Sequence, residues 1–197
     1  MAISHSILAS LIDERPCSGY DLAKQFKHRL GFFWKASHQQ IYRELSKLEQ
    51  DGLVLSEIVP QENRPDKKVY RVTESGKKYL VDWMMQPSEP SPIKEDLLVK
   101  LHVGHMVPVG VIIEELTRQR QTHRHTLELY LKWESKYFND ISALPLKGKF
   151  RYLNLRSGIN HERAQLAWFD EAISFLSTEV PAGEHENSIE PEALSGS

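Results

Sequence analysis

A polar helix running into a basic hairpin constrains this chain more than any other feature. Residues 37–79 read SHQQIYRELSKLEQDGLVLSEIVPQENRPDKKVYRVTESGKKY. From Ser37 to Gln50, Ile41, Leu45 and Leu48 recur at helical spacing, so one face is buried. The opposite face carries Ser37, Gln39, Gln40, Arg43 and Lys47, all hydrogen-bonding or cationic. Asp51-Gly52 ends the helix, because glycine readily takes the left-handed conformation found just past helix C-termini. LVLSEIV and KVYRV are β-branched-rich runs separated by the turn-prone PQENRPD, which predicts a hairpin.

The residues before this stretch supply two more short helices. In residues 3–13, Ile7, Leu8, Leu11 and Ile12 fall on one side, and Glu14-Arg15-Pro16 ends the run. Ser18-Gly19-Tyr20-Asp21 matches the Ser-x-x-acid capping box and opens a second helix. That helix places Leu22, Phe26 and Leu30 inward and Lys24, Lys27, His28 and Arg29 outward, with Gly31 as its C-cap. Phe32-Phe33-Trp34 forms a bulky connector, and Ser37 is a natural N-cap for the third helix. Three short helices followed by a hairpin is the order of a winged helix-turn-helix, with the third helix in the reading position.

Thr73 caps a fourth helix whose apolar side carries Leu80, Trp83 and Met84. The three prolines of QPSEPSP, at 86–92, mark a domain boundary. Beyond it, residues 93–107 form a short amphipathic helix. Residues 109–139 form a long one with Ile112, Ile113, Leu116, Leu127, Tyr130, Leu131, Tyr137 and Phe138 in an imperfect stripe. A loop surrounds Leu144 to Gly148. A last helix, about 150–178, carries Leu155, Ile159, Leu166, Phe169, Ile173 and Leu176 near a 3.5-residue repeat, with Glu162 in the seam. Two such helices fold back antiparallel and hold too little interior for both stripes, so a second copy of the chain is expected across that seam. The expected fold is mainly α. Residues 1–86 form the winged helix-turn-helix, three helices plus a two-stranded β wing, 87–92 the linker, and 93–178 a C-terminal α-helical dimerisation domain. An acidic tail, 179–197, is expected to be disordered.

The formal net charge of −2 hides a partition. Residues 1–79 carry +3, residues 80–178 balance, and the last 19 residues carry −5. The positive excess therefore lies with the reading helix, which supports contact with phosphate only modestly. Hydrophobic residues make up 40% and charged residues 26%, the balance of a core-forming chain. No apolar run approaches a membrane span, and no basic leader precedes the first helix, so a cytoplasmic protein is expected. Cys17 has no second cysteine to pair with and is expected as a small apolar residue at a turn.

The stretches ILASLIDERPCSGYDLAKQF, HQQIYRELSKLEQDGLV and KKVYRVTESGKKYL together resemble the PadR family of bacterial transcriptional regulators. The register runs from Gly19-Tyr20 through Ile41-Tyr42, Leu48 and Gly52-Leu53 to Tyr70 and Thr73-x-x-Gly76, and covers residues 3 to about 86. The C-terminal half is similar, in helix layout and length, to the virulence-activator-alpha type of PadR C-terminal region. The resemblance implies a homodimer whose C-terminal helices embrace, with two reading helices facing successive major grooves of a pseudo-palindromic operator in double-stranded DNA. Some relatives are repressors released by phenolic acids or other flat aromatics; others are activators with no known ligand. Repression with a small aromatic effector is the expectation adopted, with ligand-independent activation, or a small-molecule-binding dimer with little DNA role, as the alternatives.

On this reading Gln39, Gln40 and Arg43 reach base edges, since glutamine pairs with adenine and arginine with guanine in two-point contacts. Ser37, His38 and Tyr42 contact phosphate or sugar, and Lys47 the flanking backbone; Tyr42 matches the tyrosine of the family helix. Arg64, Lys67 and Lys68 at the wing tip meet phosphate or the minor groove, and rank below the helix because charged hairpins are common in solution. Asn63 and Pro65 shape the turn. Catalytic motifs are absent, with no Gly-x-Ser-x-Gly elbow, phosphate loop or dinucleotide fingerprint, so no enzyme and no cofactor are expected. His102-x-x-His105, His123-x-His125 and His161-Glu162 lack metal-site spacing. Trp83, Trp133, Trp168, Tyr130 and Phe169 are read as core or dimer contacts, with an effector slot as the other reading. Arg120, His123 and Glu162 interrupt apolar seams, either to fix helix register or to line a pocket.

Overall fold

The computed structural model describes residues 3–13, 16–28, 36–62, 66–89 and 95–179, with backbone alone at residues 13 and 25–28. The chain divides into two compact units, Met1–Ser91 and Pro92–Ser197. The expectations for Phe26, His28, Leu30, Gly31, the Phe32–Trp34 connector, Asn63, Arg64, Pro65 and the acidic tail concern structure outside the described residues.

The first unit contains α1 (Ile3–Asp13), β1 (Cys17–Ser18), α2 (Gly19–His28), α3 (His38–Gln50), β2 (Val54–Val59), β3 (Lys67–Val72) and α4 (Glu74–Met84). Its core is one cluster around Ile7, Leu8, Leu22, Ile41, Leu45, Leu48, Val54 and Tyr70. Each such aliphatic side chain contributes about 1.5–3 kcal/mol by leaving water. The sheet has three strands rather than the expected two, in the order β1-β3-β2, with all pairs antiparallel. β1 pairs Cys17 with Tyr70 and Ser18 with Val69, so the cysteine is a buried strand residue and not a turn residue. Its two residues are too few for any periodicity to announce a strand.

Two backbone devices join α3, β2, β3 and α4. Past α3, the Leu53 N–H donates to the Leu48 carbonyl (2.9 Å) and the Gly52 N–H to the Glu49 carbonyl (3.1 Å), with Gly52 at φ 68°. This is the Schellman arrangement, and the positive φ is why glycine stands there. Thr73 Oγ1 accepts from the Gly76 N–H (2.9 Å) as the α4 cap and donates to the Gly52 carbonyl (2.8 Å). A Cβ on Gly76 would lie 2.1 Å from the Leu53 carbonyl oxygen. The Thr73-x-x-Gly76 pattern thus welds the end of the hairpin to the turn after α3. On α4 Leu80 is buried, Trp83 stacks on His5 of α1 at 4.3 Å, and Met84 is exposed instead of inward.

The second unit contains α5 (Asp96–His102), a 3₁₀ turn (Gly104–Met106), α6 (Val109–Tyr137) and α7 (Leu146–Ser177). α7 begins earlier than expected, because Leu146 to Gly148 form its first turn after Pro145 at the N-cap. Proline and glycine there read as a loop, although proline suits a helix start. α6 and α7 lie antiparallel, and polar pairs tie them at three heights. Arg120 Nε meets Asp170 Oδ1 at 3.2 Å, His123 Nδ1 meets Glu162 Oε2 at 2.6 Å, and Arg156 and Tyr152 both donate to Glu134 Oε1 at 3.1 Å. Arg120, His123 and Glu162, which interrupt the apolar stripes, are therefore engaged in polar contacts across the helix pair. Leu97, Ile112, Leu116 and Phe169 form the apolar cluster beside them.

Candidate nucleic-acid interface

The exposed face of α3 is built by a strong N-terminus and a fixed inner face. Ser37 Oγ accepts from the Gln40 N–H (3.2 Å), and Gln40 Oε1 accepts from the Ser37 N–H (2.9 Å), a complete capping box. Ile41, Leu45 and Leu48 are buried to within 2%. At 100° per residue the opposite face is centred on Gln39 and Arg43, continuing through Ser46 to Gln50, all exposed. Ser37, Gln39, Gln40 and Arg43 line a shallow open hollow at its N-terminal end.

The side chains singled out in the sequence fall into three groups. Gln39, Arg43 and Lys47 are exposed on α3. Gln40 is also exposed, yet its Oε1 is engaged in the cap, and two-point pairing with adenine needs that oxygen as acceptor. Gln40 is therefore a capping residue first, which the capping-box spacing from Ser37 could have signalled. Tyr42 lies across Gly19, whose Cβ would come within 2.5 Å of the ring, so glycine at the start of α2 is what lets the ring rest there. His38 is exposed and its ring centroid is 6.5 Å from that of Tyr20. Ser46, Gln50 and Tyr20 share this surface and went unselected; the i, i+3, i+7 spacing from Arg43 marks the first two.

The wing lysines do not project freely. Lys67 Nζ is 2.8 Å from Asp21 Oδ2, and Lys68 Nζ is 2.8 Å from Glu49 Oε2. The hydrogen bond from Lys67 holds the Asp21 carboxyl below its ordinary range, with Ser18 adding to it against the effect of burial. Lys68, then Ser56, does the same for Glu49, and Glu49 in turn raises the Lys68 ammonium. Arg64, the third wing cation, lies outside the described residues.

In the second unit the seam residues are largely used within one chain. Leu155, Ile159 and Phe169 are buried, and Leu166, Ile173 and Leu176 half-buried. The aromatics pack locally: Trp168 is edge-on to Phe169 at 5.0 Å, and Tyr130 sits 5.6 Å from Trp133. Burial, with Glu162 nearby, pushes the Tyr130 hydroxyl up to about 12. Among the described residues no group of three His, Cys, Asp or Glu is placed to hold a metal ion, and no helix is long and apolar enough to cross a membrane.

A capped third helix presented beside an antiparallel hairpin makes the first unit a winged helix-turn-helix. The chain belongs to the PadR-like family of transcriptional regulators, whose sequence pattern matches residues 7–82, while the C-terminal region of virulence activator alpha matches residues 93–177. It is 37% identical over 186 residues to a protein of Mycobacterium tuberculosis named as a probable transcriptional regulator, covering 89% of this chain and 98% of that one. It is 35% identical over 181 residues to the negative transcriptional regulator PadR of Bacillus subtilis, with the same coverage. Among solved structures it is similar to B. subtilis PadR in complex with operator DNA, at TM-score 0.73 and 27% identity over 88% of this chain and 98% of that one. The Vibrio cholerae virulence activator AphA superposes at TM-score 0.71 and 28% identity over 91% and 100%. A second B. subtilis PadR structure, in complex with p-coumaric acid, gives 0.69 and 26% over 89% and 98%. These relatives are transcriptional regulators, and the chain is one of that kind rather than an enzyme.

Proposed function

We propose that this regulator acts as a homodimer that binds a pseudo-palindromic operator and represses by occupying the promoter. In this reading residues 1–86 bind DNA, 87–92 link, and 93–178 dimerise. Gln39 and Arg43 read base edges, with Ser37, His38, Gln40, Tyr42 and Lys47 on the backbone. The observation that carries it is the exposed Gln39–Arg43–Ser46 face of a helix whose start and inner side are both fixed. The similar PadR solved with operator DNA supports the same use of the fold.

Self-association is supported by apolar side chains that one chain leaves in water. Leu129, Tyr137, Phe150 and Leu153 are exposed on α6 and α7, Phe150 by 62%. The buried seam residues Leu155, Ile159 and Phe169 then shape the helix pair, and this outer set meets the second copy. Modulation by a small aromatic acid is supported by the relative solved with p-coumaric acid, and quenching of tryptophan fluorescence by such acids tests it. Activation without a ligand is the second reading, and the similarity to AphA, named as a virulence activator, favours activation itself.

Selection of bound DNA from a random pool tests the function without assuming a target gene. A palindromic consensus is expected, and Arg43→Ala should lose preference for it while remaining dimeric on sizing. Recovery of no consensus would overturn DNA reading, and retained selectivity in Arg43→Ala would remove α3 as the reader.

A further inference from the structure

We infer that Asp21 and Glu49 are positioning residues for DNA reading, each holding one wing lysine so that the hairpin is braced against both helices of the helix-turn-helix. The inference rests on the DNA-binding reading above. Along β3, Lys68 shares a face with Tyr70, which is 5% exposed and part of the core. Lys68 thus lies on the side of the hairpin that faces α3, its Nζ 5.3 Å from the Tyr70 ring centroid. Ser56, opposite Tyr70 on β2, shares that face.

The Glu49 carboxylate takes both: Oε2 accepts from Lys68 and Oε1 from the Ser56 hydroxyl. One carboxylate in the last turn of α3 therefore grips both strands of the wing. Asp21 acts at the other side of the sheet. Its Oδ2 accepts from the Ser18 N–H (3.1 Å) and hydroxyl (2.8 Å) as well as meeting Lys67, so it joins α2, β1 and β3.

Two consequences follow. An ammonium already matched by a carboxylate brings little positive charge to a phosphate, and leaving that partner would strand the carboxylate beside the DNA. The pairs are also half-exposed, with side-chain exposures of 37% and 37% at Lys67–Asp21 and 48% and 32% at Lys68–Glu49, so they contribute little to stability. Their effect lies in the angle the wing holds to α3.

Exchanging the charges at 49 and 68 tests this in the full-length protein on the operator recovered by selection. The readout is the ratio of operator to random-sequence affinity, because a lysine at position 49 would by itself strengthen binding to any DNA. Glu49→Lys and Lys68→Glu singly should each lower that ratio about tenfold, and the double exchange should bring it back to within about threefold of the parent. Removing both charges of a pair, in Asp21→Asn with Lys67→Gln or in Glu49→Gln with Lys68→Gln, should leave the salt dependence of operator binding unchanged. A double exchange no better than Lys68→Glu alone overturns the inference. So does a slope of log affinity on log salt that falls by about 0.9 in either neutralised pair, the signature of one lost phosphate contact. An operator must have been recovered for any of these measurements, so failure of the DNA-binding reading shows itself first and separately.

Discussion

Replacing His123 by leucine should destabilise the protein more than replacing its partner Glu162. Glu162 is 7% exposed on the inner side of α7, between the buried Ile159 and Phe169, and the His123 Nδ1 lies 2.6 Å from its carboxylate. In His123→Leu the carboxylate stays buried without that ring. Breaking a fully buried pair in this way costs about 3–5 kcal/mol. The His123 side chain keeps 26% of its exposure, so water reaches the pair. A loss of about 2–3 kcal/mol is the scaled expectation.

Glu162→Leu leaves only an imidazole with one nitrogen unmet, at about 1 kcal/mol. Leucine at both positions continues the apolar seam, and stability should return to the parental value or exceed it by about 1 kcal/mol. Urea unfolding followed by far-UV circular dichroism at neutral pH gives the order, at one protein concentration because self-association shifts midpoints. Equal losses in the two single variants, or a double variant weaker than both, would refute the reasoning.

Gly76→Ala should cost about 2 kcal/mol or more, because its Cβ meets a backbone oxygen that cannot move without opening the turn after α3; thermal melts measure it. Gly19→Ala displaces only the Tyr42 ring, so it should lower operator affinity with a small change in melting temperature. Asp21 and Glu49 are depressed in the folded chain, so their contribution is present above the ordinary values of 3.8 and 4.5 and is lost as pH falls through the folded ones. Urea midpoints of Asp21→Asn and the parent should therefore differ only slightly at neutral pH, as a half-exposed pair allows, and converge in acid. In an alkaline absorbance titration Tyr130, pushed up to about 12, should ionise in a late step that Tyr130→Phe removes.

Local signals in the sequence set the helices well where a cap announced them. Ser37, Ser18 and Thr73 each stand one residue before the helices they open, and the side-chain bonds of all three are present. β1 was illegible because pairing of Cys17 with Tyr70 is a long-range event with no local pattern. Charge was visible at Lys67 and Lys68 but not its partners, since Asp21 and Glu49 approach only after the sheet closes. The same limit hid the aromatic contacts. Trp83 meets His5 across the first unit, and no spacing in the chain connects them. Gln40 shows the reverse case, because its spacing from Ser37 marks the cap in the sequence and the cap claims the oxygen that base reading needs.

The placement of β1 also sets an order of events during synthesis. Cys17 and Ser18 leave the ribosome with α1 and α2, while their partners Tyr70 and Val69 follow only after α3 and β2. Until β3 arrives, Lys67, Lys68 and the strand that closes the sheet are all missing. The nascent helix-turn-helix therefore waits half-assembled, and loop closure over that distance sets the pace of its completion. By contrast, α6 and α7 are neighbours in the chain and can zip together from their connection. The sheet of the first unit is thus begun early and finished late.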